Sequence, residues 1–338
     1  MLGFAVGVLK TRAGGNLQTG RRRGVVNMKS RLPSNSAGDL YVDSSCIDCD
    51  VCRWMVPDVF DRAQGQSAVL HQPVGDDMMR KALQAAVACP VGSIRTETPN
   101  PLAKAARDDF PIPVHETLVD IYYNGFNSEK SFSANSYLVV DEELGGVLID
   151  SPRYNSALAK SIEKKCGDLG VKYMVLTHSD DVADHARWAE RFGLTRIMHK
   201  NQIRSFNGTN DVEMVLEGEG PWEISKNLNI LFVPGHSSGC IALHDIKNKT
   251  LLSGDFYAFS ARKGTISGFP DYNHFSWQTQ VENMTKVTRM DLNFGTSSAA
   301  SVKARFTLLW VCERELCGHG PAQRRTSQEE AAFTPERL

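Results

Sequence analysis

Ser45-Cys46-Ile47-Asp48-Cys49-Asp50-Val51-Cys52, with Ala88-Cys89-Pro90 downstream, sets the architecture of the first third of the chain. Three cysteines separated by two residues each bring soft thiolates onto one tight loop, and the proline after Cys89 stops the chain from continuing as a helix. Four thiolates suit an iron–sulfur cluster. They also make a tetrahedral zinc shell, but zinc modules usually space their cysteines as two separate pairs. The remaining cysteines, Cys166, Cys240, Cys312 and Cys317, are scattered without evident partners. A reducing compartment therefore fits better than a disulfide framework.

The pattern extends beyond the thiols, through Val56-Pro57-Asp58-Val59-Phe60 to Ala88-Cys89-Pro90-Val91-Gly92-Ser93-Ile94. Over roughly 55 residues it resembles a bacterial-type ferredoxin. Only one cysteine precedes a proline and there is no second triplet, so the resemblance implies one cluster. Four ligands, with the middle Cys49 present, suit 4Fe-4S. Cys46, Cys49, Cys52 and Cys89 are its expected ligands. Such clusters usually carry electrons, although some only hold a fold together.

Outward from this segment the composition changes. Residues 1–37 carry Lys10, Arg12, Arg21, Arg22, Arg23, Lys29 and Arg31, and the first acid is Asp39. An Arg-rich, acid-free start has the composition of an organelle transit peptide, a chloroplast favoured over a mitochondrion, against the plainer reading of a disordered basic tail. The expected organisation is this leader, a ferredoxin-like domain over 38–98, a proline-rich linker over 99–113, a large domain over 114–322 and a tail over 323–338. The net charge is −1, which leaves no basic excess for nucleic acid. No apolar run approaches the roughly 20 residues that span a bilayer.

In the large domain, short runs rich in Val, Ile and Leu read as strands at 136–140, 146–150, 173–177, 230–233, 240–244 and 250–253. Helical periods lie between some of them, at 156–166 and 181–192. Polar groups gather at strand ends: Thr177-His178-Ser179-Asp180-Asp181-Val182-Ala183-Asp184-His185, then Pro234-Gly235-His236, Ser253-Gly254-Asp255 and Cys317-Gly318-His319-Gly320. On a helix, Asp180 with Asp184 and Asp181 with His185 would share a face. Imidazole and carboxylate ligands of this kind suit zinc or iron.

These stations, with Leu148-Ile149-Asp150, occur in the order of the metallo-β-lactamase fold, which this region resembles over about 200 residues. The resemblance implies an α+β ferredoxin-like domain followed by a four-layer αβ/βα sandwich, with a mono- or dinuclear iron or zinc site. Carried over by position, His178, Asp180 and His236 would hold one metal, Asp184, His185 and His319 a second, and Asp255 would bridge; Asp181 is an alternative to Asp180. The family motif His-x-His-x-Asp-His is altered here, because a carboxylate replaces its second imidazole and two extra residues divide it. After a helix expected at 285–294, residues 295–317 look like an insertion or a gene-model error before His319. His71, His115, His199 and His244 read as surface or core residues, and His274 lies in an aromatic loop that could line the pocket mouth.

Three functions follow as expectations. The first is an oxidoreductase that passes electrons from the cluster to the second metal site, with a small-molecule substrate and an electron donor or acceptor protein as partners. The second is a metal-dependent ester or thioester hydrolase with a structural or regulatory cluster. The third is a redox carrier or sensor that has lost the second metal. Neither nucleic acid nor a membrane is an expected partner.

Overall fold

The computed structural model describes residues 29–260 and 265–290. A small domain comes first: β1 (Leu40–Val42), α1 (Val51–Met55), β2 (Phe60–Ala63), β3 (Gln66–Val69), α2 (Gly75–Ala88) and β4 (Ile94–Thr96). β1 pairs antiparallel with β4, and β2 with β3. Asp76 and Asp77 favour the positive end of α2. The helix buries Ala82, Ala85 and Ala88, small side chains that admit close approach to the cysteine loop. Leu40, Val42, Val56, Phe60 and Val69 complete this core.

Two expected boundaries move. Residues 29–37 belong to the small domain, because Arg31 bridges to Asp43 and its guanidinium donates to the carbonyls of Ser36 and Gly38 at 2.7 and 2.9 Å. Residues 1–28 of the expected leader, and the expected tail over 323–338, lie outside the described residues. The stretch expected as a linker over 99–113 instead carries α3 (Ala103–Asp108) and β5 (Ile112–Pro113). Its prolines frame the helix rather than interrupt it. Pro113 sits on an edge strand, where a missing N–H is tolerated, and Asp109 is tied to Arg80 and Gln84 of α2.

The chain then forms β6 (Ile121–Tyr123), β7 (Tyr137–Asp141), β8 (Gly145–Ile149), α4 (Ser156–Cys166), β9 (Val171–Val175), α5 (His185–Phe192), β10 (Thr195–His199) and β11 (Met214–Leu216). With β5 these strands make a seven-stranded sheet, ordered β11-β10-β9-β8-β7-β6-β5. It is antiparallel from β5 to β8 and parallel from β8 to β11. A second, antiparallel sheet follows in chain order: β12 (Trp222–Ser225), β13 (Leu228–Phe232), β14 (Ile241–Asp245) and β15 (Thr250–Leu252). The hairpin β16 (Ala258–Ser260) and β17 (Thr265–Ser267) leads to α6 (Trp277–Arg289).

The expected αβ/βα layering is present. α4 packs on β7, β8 and β9, and α5 on β9 and β10. α6 inserts Met284 and Val287 into the common core, and Asn283 donates to the carbonyl of Pro234 beyond β13 at 2.8 Å. Every residue of β8 is buried, as a central strand covered on both faces requires. A Cβ on Gly146 would lie 2.5 Å from the Cys166 sulfur, so only glycine lets α4 return this closely over the sheet. Asn155 caps α4 by accepting from the amides of Ala157 and Leu158. Among the described residues no helix is long and apolar enough to cross a membrane.

The two domains do not stand apart. Cys49, Val51 and Ala88 of the small domain share one core with Phe110, Tyr123, Phe126 and Tyr137 of the large one. Tyr123 meets Trp54 edge to face at 5.5 Å and Phe110 at 6.0 Å. Truncating such a buried ring costs about 3–5 kcal/mol. Phe110→Ala should therefore lower the denaturant midpoints of cluster absorbance and of far-UV dichroism together; two separated midpoints would contradict a shared core.

Candidate metal centre and cluster site

The cysteine loop is shaped by backbone before any metal binds. Asp48 and Asp50 adopt left-handed φ of 58° and 70°, a conformation aspartate tolerates better than most residues, and the alternation curls the loop inward. Arg53 locks it by pairing with Asp48 at 2.8 Å and with Asp50.

Donors converge on the sulfurs. The amide of Asp48 reaches Cys46 at 3.5 Å, and the amide of Ser93 reaches Cys89 at 3.3 Å. The Ser93 hydroxyl also lies 3.3 Å from the Cys89 sulfur. Burial pushes the Cys49 thiol up to about 12, and the charges of Cys89 and Cys46 add to the shift. Cys46, Cys52 and Cys89 pack in the core of the small domain, and Cys49 in the core it shares with the large one. Sulfurs gathered beneath hydrogen-bond donors fit a thiolate-held cluster.

The second centre is built from strand ends. His178 follows β9, His236 follows β13 after a Pro-Gly turn, and Asp255 follows β15. Nε2 of His178 lies 3.7 Å from Oδ2 of Asp255, and Nε2 of His236 lies 3.6 Å from the same oxygen. Oδ2 of Asp180 stands 3.9 and 4.0 Å from the two nitrogens. The imidazoles cross at 89°. The ligand atoms of His178, His236 and Asp255 lie within 4.8 Å of one another, and the 3.6 and 3.7 Å edges approach the roughly 3.4 Å ligand spacing of a tetrahedral shell with bonds near 2.1 Å, while Asp180 groups with His236 and His274. Both Nε2 atoms are buried with no hydrogen-bond partner among the described residues, a costly state for polar atoms that a metal would relieve. The residues fit one metal ion.

Neighbouring groups aim the ligands. Nδ1 of His178 lies 3.0 Å from the Thr177 hydroxyl, which in turn donates to Asp150 Oδ2 at 3.0 Å. That chain leaves the proton on Nδ1 and the Nε2 lone pair toward the metal. Burial raises the Asp150 carboxyl. A Cβ on Gly254 would strike the Thr177 hydroxyl at 2.5 Å, which explains the glycine beside Asp255. Burial depresses His236 to about 4 and keeps its ring neutral, as a ligand must be.

Two expected ligands are elsewhere. α5 begins at His185, not at residue 181, so residues 180–184 are an irregular turn and the four-residue spacing expected there does not apply. Asp184 holds the position before α5, accepts from the amide of Tyr154 at 2.9 Å and pairs with Lys130 at 3.0 Å. His185 is buried away from the centre, with Nε2 on the carbonyl of Asn207 and Nδ1 facing Arg196, each at 3.0 Å. His319 and residues 295–317 lie outside the described residues. Asp181 is buried 3.8 Å from His178 Nδ1, on the side away from the metal-facing nitrogen.

One residue arrives that the spacing pattern left aside. His274 stacks edgewise on His236 at 5.2 Å and forms a ligand-like group with Asp180 and His236. Asn273 holds this loop by donating to the Gly235 carbonyl at 2.8 Å. Its only signal in the sequence was its place in an aromatic loop after Asp255.

Residues 42–96 match the 4Fe-4S single cluster domain of ferredoxin I, and residues 131–293 match the metallo-β-lactamase superfamily. Solved structures of similar fold include the B3 metallo-β-lactamase BLEG-1, 16% identical over 52% of this chain and 87% of that one, with a TM-score of 0.40. TTHA1623 in a di-iron-bound form is 22% identical over 51% and 93%, with a TM-score of 0.37. A quorum-quenching N-acyl homoserine lactone hydrolase is 16% identical over 46% and 73%, with a TM-score of 0.34. No curated protein matches the chain.

Two outcomes check the assignment. Cys49→Ser should abolish the brown visible absorption of the purified protein, and an unchanged spectrum removes Cys49 from the cluster. His236→Ala should strip metal from the large domain and spare the cluster, whereas Asp184→Asn should keep wild-type metal content; elemental analysis showing metal loss in Asp184→Asn would return that residue to the ligand set.

Proposed function

For a chain that joins a single-cluster 4Fe-4S domain to a metallo-β-lactamase fold, we propose an oxidoreductase in which His178, His236 and Asp255, with Asp180, hold one iron ion supplied with electrons through the cluster domain. The observation that carries this reading is the donor set. Two imidazoles and a carboxylate with open positions are the ligands of non-haem iron(II) sites. The pair Asp184 and His185, which a second metal would need, is engaged elsewhere.

Iron bound there would supply a redox-active Lewis acid. The chain supplies everything else. Thr177 and Asp150 fix the His178 ring, burial keeps His236 neutral, and Asp180 and the exposed His274 group with His236. Between the two centres the buried rings of Tyr123 and Tyr137 lie 6.1 Å apart. Tyr123 lies in one core with Cys49, and Tyr137 pairs across the sheet with Ile149, the residue before Asp150. This dry, continuous packing supports electron passage between the domains. The basic leader favours a plastid, where a reductant protein would be the natural partner.

Protein purified without oxygen should contain five irons per chain, four in the cluster and one at the large-domain centre. Under a reductant, admission of oxygen should reoxidise the cluster faster in the wild type than in His236→Ala. A zinc-filled centre with ester or thioester cleavage would replace this proposal by hydrolysis.

A further inference from the structure

His274 is not among the ligands that hold the metal, yet the chain fixes it firmly against one of them. Its amide donates to the His236 carbonyl at 2.8 Å, the amide of Ser276 donates to the Gly235 carbonyl at 3.0 Å, and Asn273 donates to the same carbonyl at 2.8 Å. Asn273 also donates to Oε1 of Gln280, a fully buried side chain of α6, at 2.7 Å. Three bonds thus staple the two histidine segments together, and α6 anchors the staple.

Two sets of ligand atoms result. His178, His236 and Asp255 form a buried set and Asp180, His236 and His274 a second, and within each set the atoms lie within 4.8 Å of one another. The second set opens to water: His274 is exposed and Asp180 keeps 27% of its side chain accessible, against at most 4% for any side chain of the first set. Oδ2 of Asp180 faces both sets, 3.9 Å from Nε2 of His178 and 4.0 Å from Nε2 of His236.

The sets share His236 and therefore exclude each other. A metal-binding imidazole is neutral and has one lone pair, and one lone pair serves one ion. Both ring nitrogens of His236 are buried without a partner among the described residues, so neither is committed to another group. Filling the buried set also satisfies the unpartnered Nε2 of His178, which filling the outer set does not. The buried set is thus where an ion rests, and the outer set is the one an ion in solution can reach.

We propose that Asp180, His236 and His274 form a loading site, where a divalent cation is captured at the mouth and passed inward as His178 and Asp255 replace His274, with His236 bound throughout. The inference rests on the metal centre proposed above, but not on which metal fills it or on electron transfer, so zinc tests it. A ligand used only in transit lowers the barrier from both sides. Its loss slows uptake and release alike and leaves the equilibrium unchanged. Loss of a resident ligand does the opposite to release, which becomes faster.

The experiment follows zinc by stopped flow with a chromophoric zinc chelator, using the full-length protein with its cluster in place and the large-domain site first emptied. The wild type should take up one zinc per chain and surrender it to excess chelator. His274→Ala should slow both rates by one common factor, about tenfold, as the local concentration supplied by capture is lost, with one zinc still bound at equilibrium. His274→Glu, which restores a ligand at the mouth, should recover most of the uptake rate. Unchanged uptake in His274→Ala overturns the loading role, and faster release overturns it equally by making His274 a resident ligand. A wild type that binds no zinc, as His236→Ala should bind none, would instead sink the metal centre itself, a failure visible before any rates are compared.

Discussion

Tyr123 occupies the point where the molecule is most constrained. Its ring is wedged among Trp54 of the small domain and Phe110 and Tyr137 of the large one, and its hydroxyl is committed to Asn127. A fully buried hydroxyl must find a partner or cost about 1–3 kcal/mol, so the ring cannot shift without releasing the loop that Asn127 organises. The cysteine loop, the edge of the seven-stranded sheet and the loop reaching toward the metal centre are thereby fixed by one side chain. The domains read as separable in sequence are physically one body at this contact.

Where sequence reading succeeded, the signal was local. The cysteine spacing needs only a tight loop and one remote Cys-Pro corner, and the helix at 156–166 and the buried strands announce themselves through periodicity and Val, Ile and Leu content. Where it failed, the signal was periodicity assumed across a turn. Extending the helical pattern back to 181 placed Asp184 and His185 on a face with Asp180 and Asp181, but the helix starts at His185. Once the register is lost, the Asp184 carboxylate turns to the Tyr154 amide and Lys130, and His185 becomes a buried partner of Arg196. The prolines of 99–113 misled for the converse reason, since they bound a helix and an edge strand that long-range pairing stabilises.

His236, His178 and Asp255 were legible because each follows a strand, two of them directly after a glycine, and strand ends on one edge of a sandwich converge whatever the loops between them do. His274 was not legible, because its position depends on Asn273 gripping the Gly235 carbonyl and on its own amide donating to the His236 carbonyl at 2.8 Å. Contacts of that kind join residues far apart in sequence and carry no spacing rule.

Removing one imidazole from the usual motif and turning away the second-metal pair changes more than metal count. A dinuclear site polarises its substrate between two ions, whereas one ion held by His178, His236 and Asp255 with Asp180 close by would sit beside two carboxylates. Carboxylate donors of this density stabilise the higher oxidation state of a redox metal relative to the lower. A redox metal held there would need a nearby electron source, and the cluster domain is packed into the same core as the strands that present the ligands. The altered motif and the cluster domain thus meet across one shared core, through Tyr123, Trp54 and Phe110.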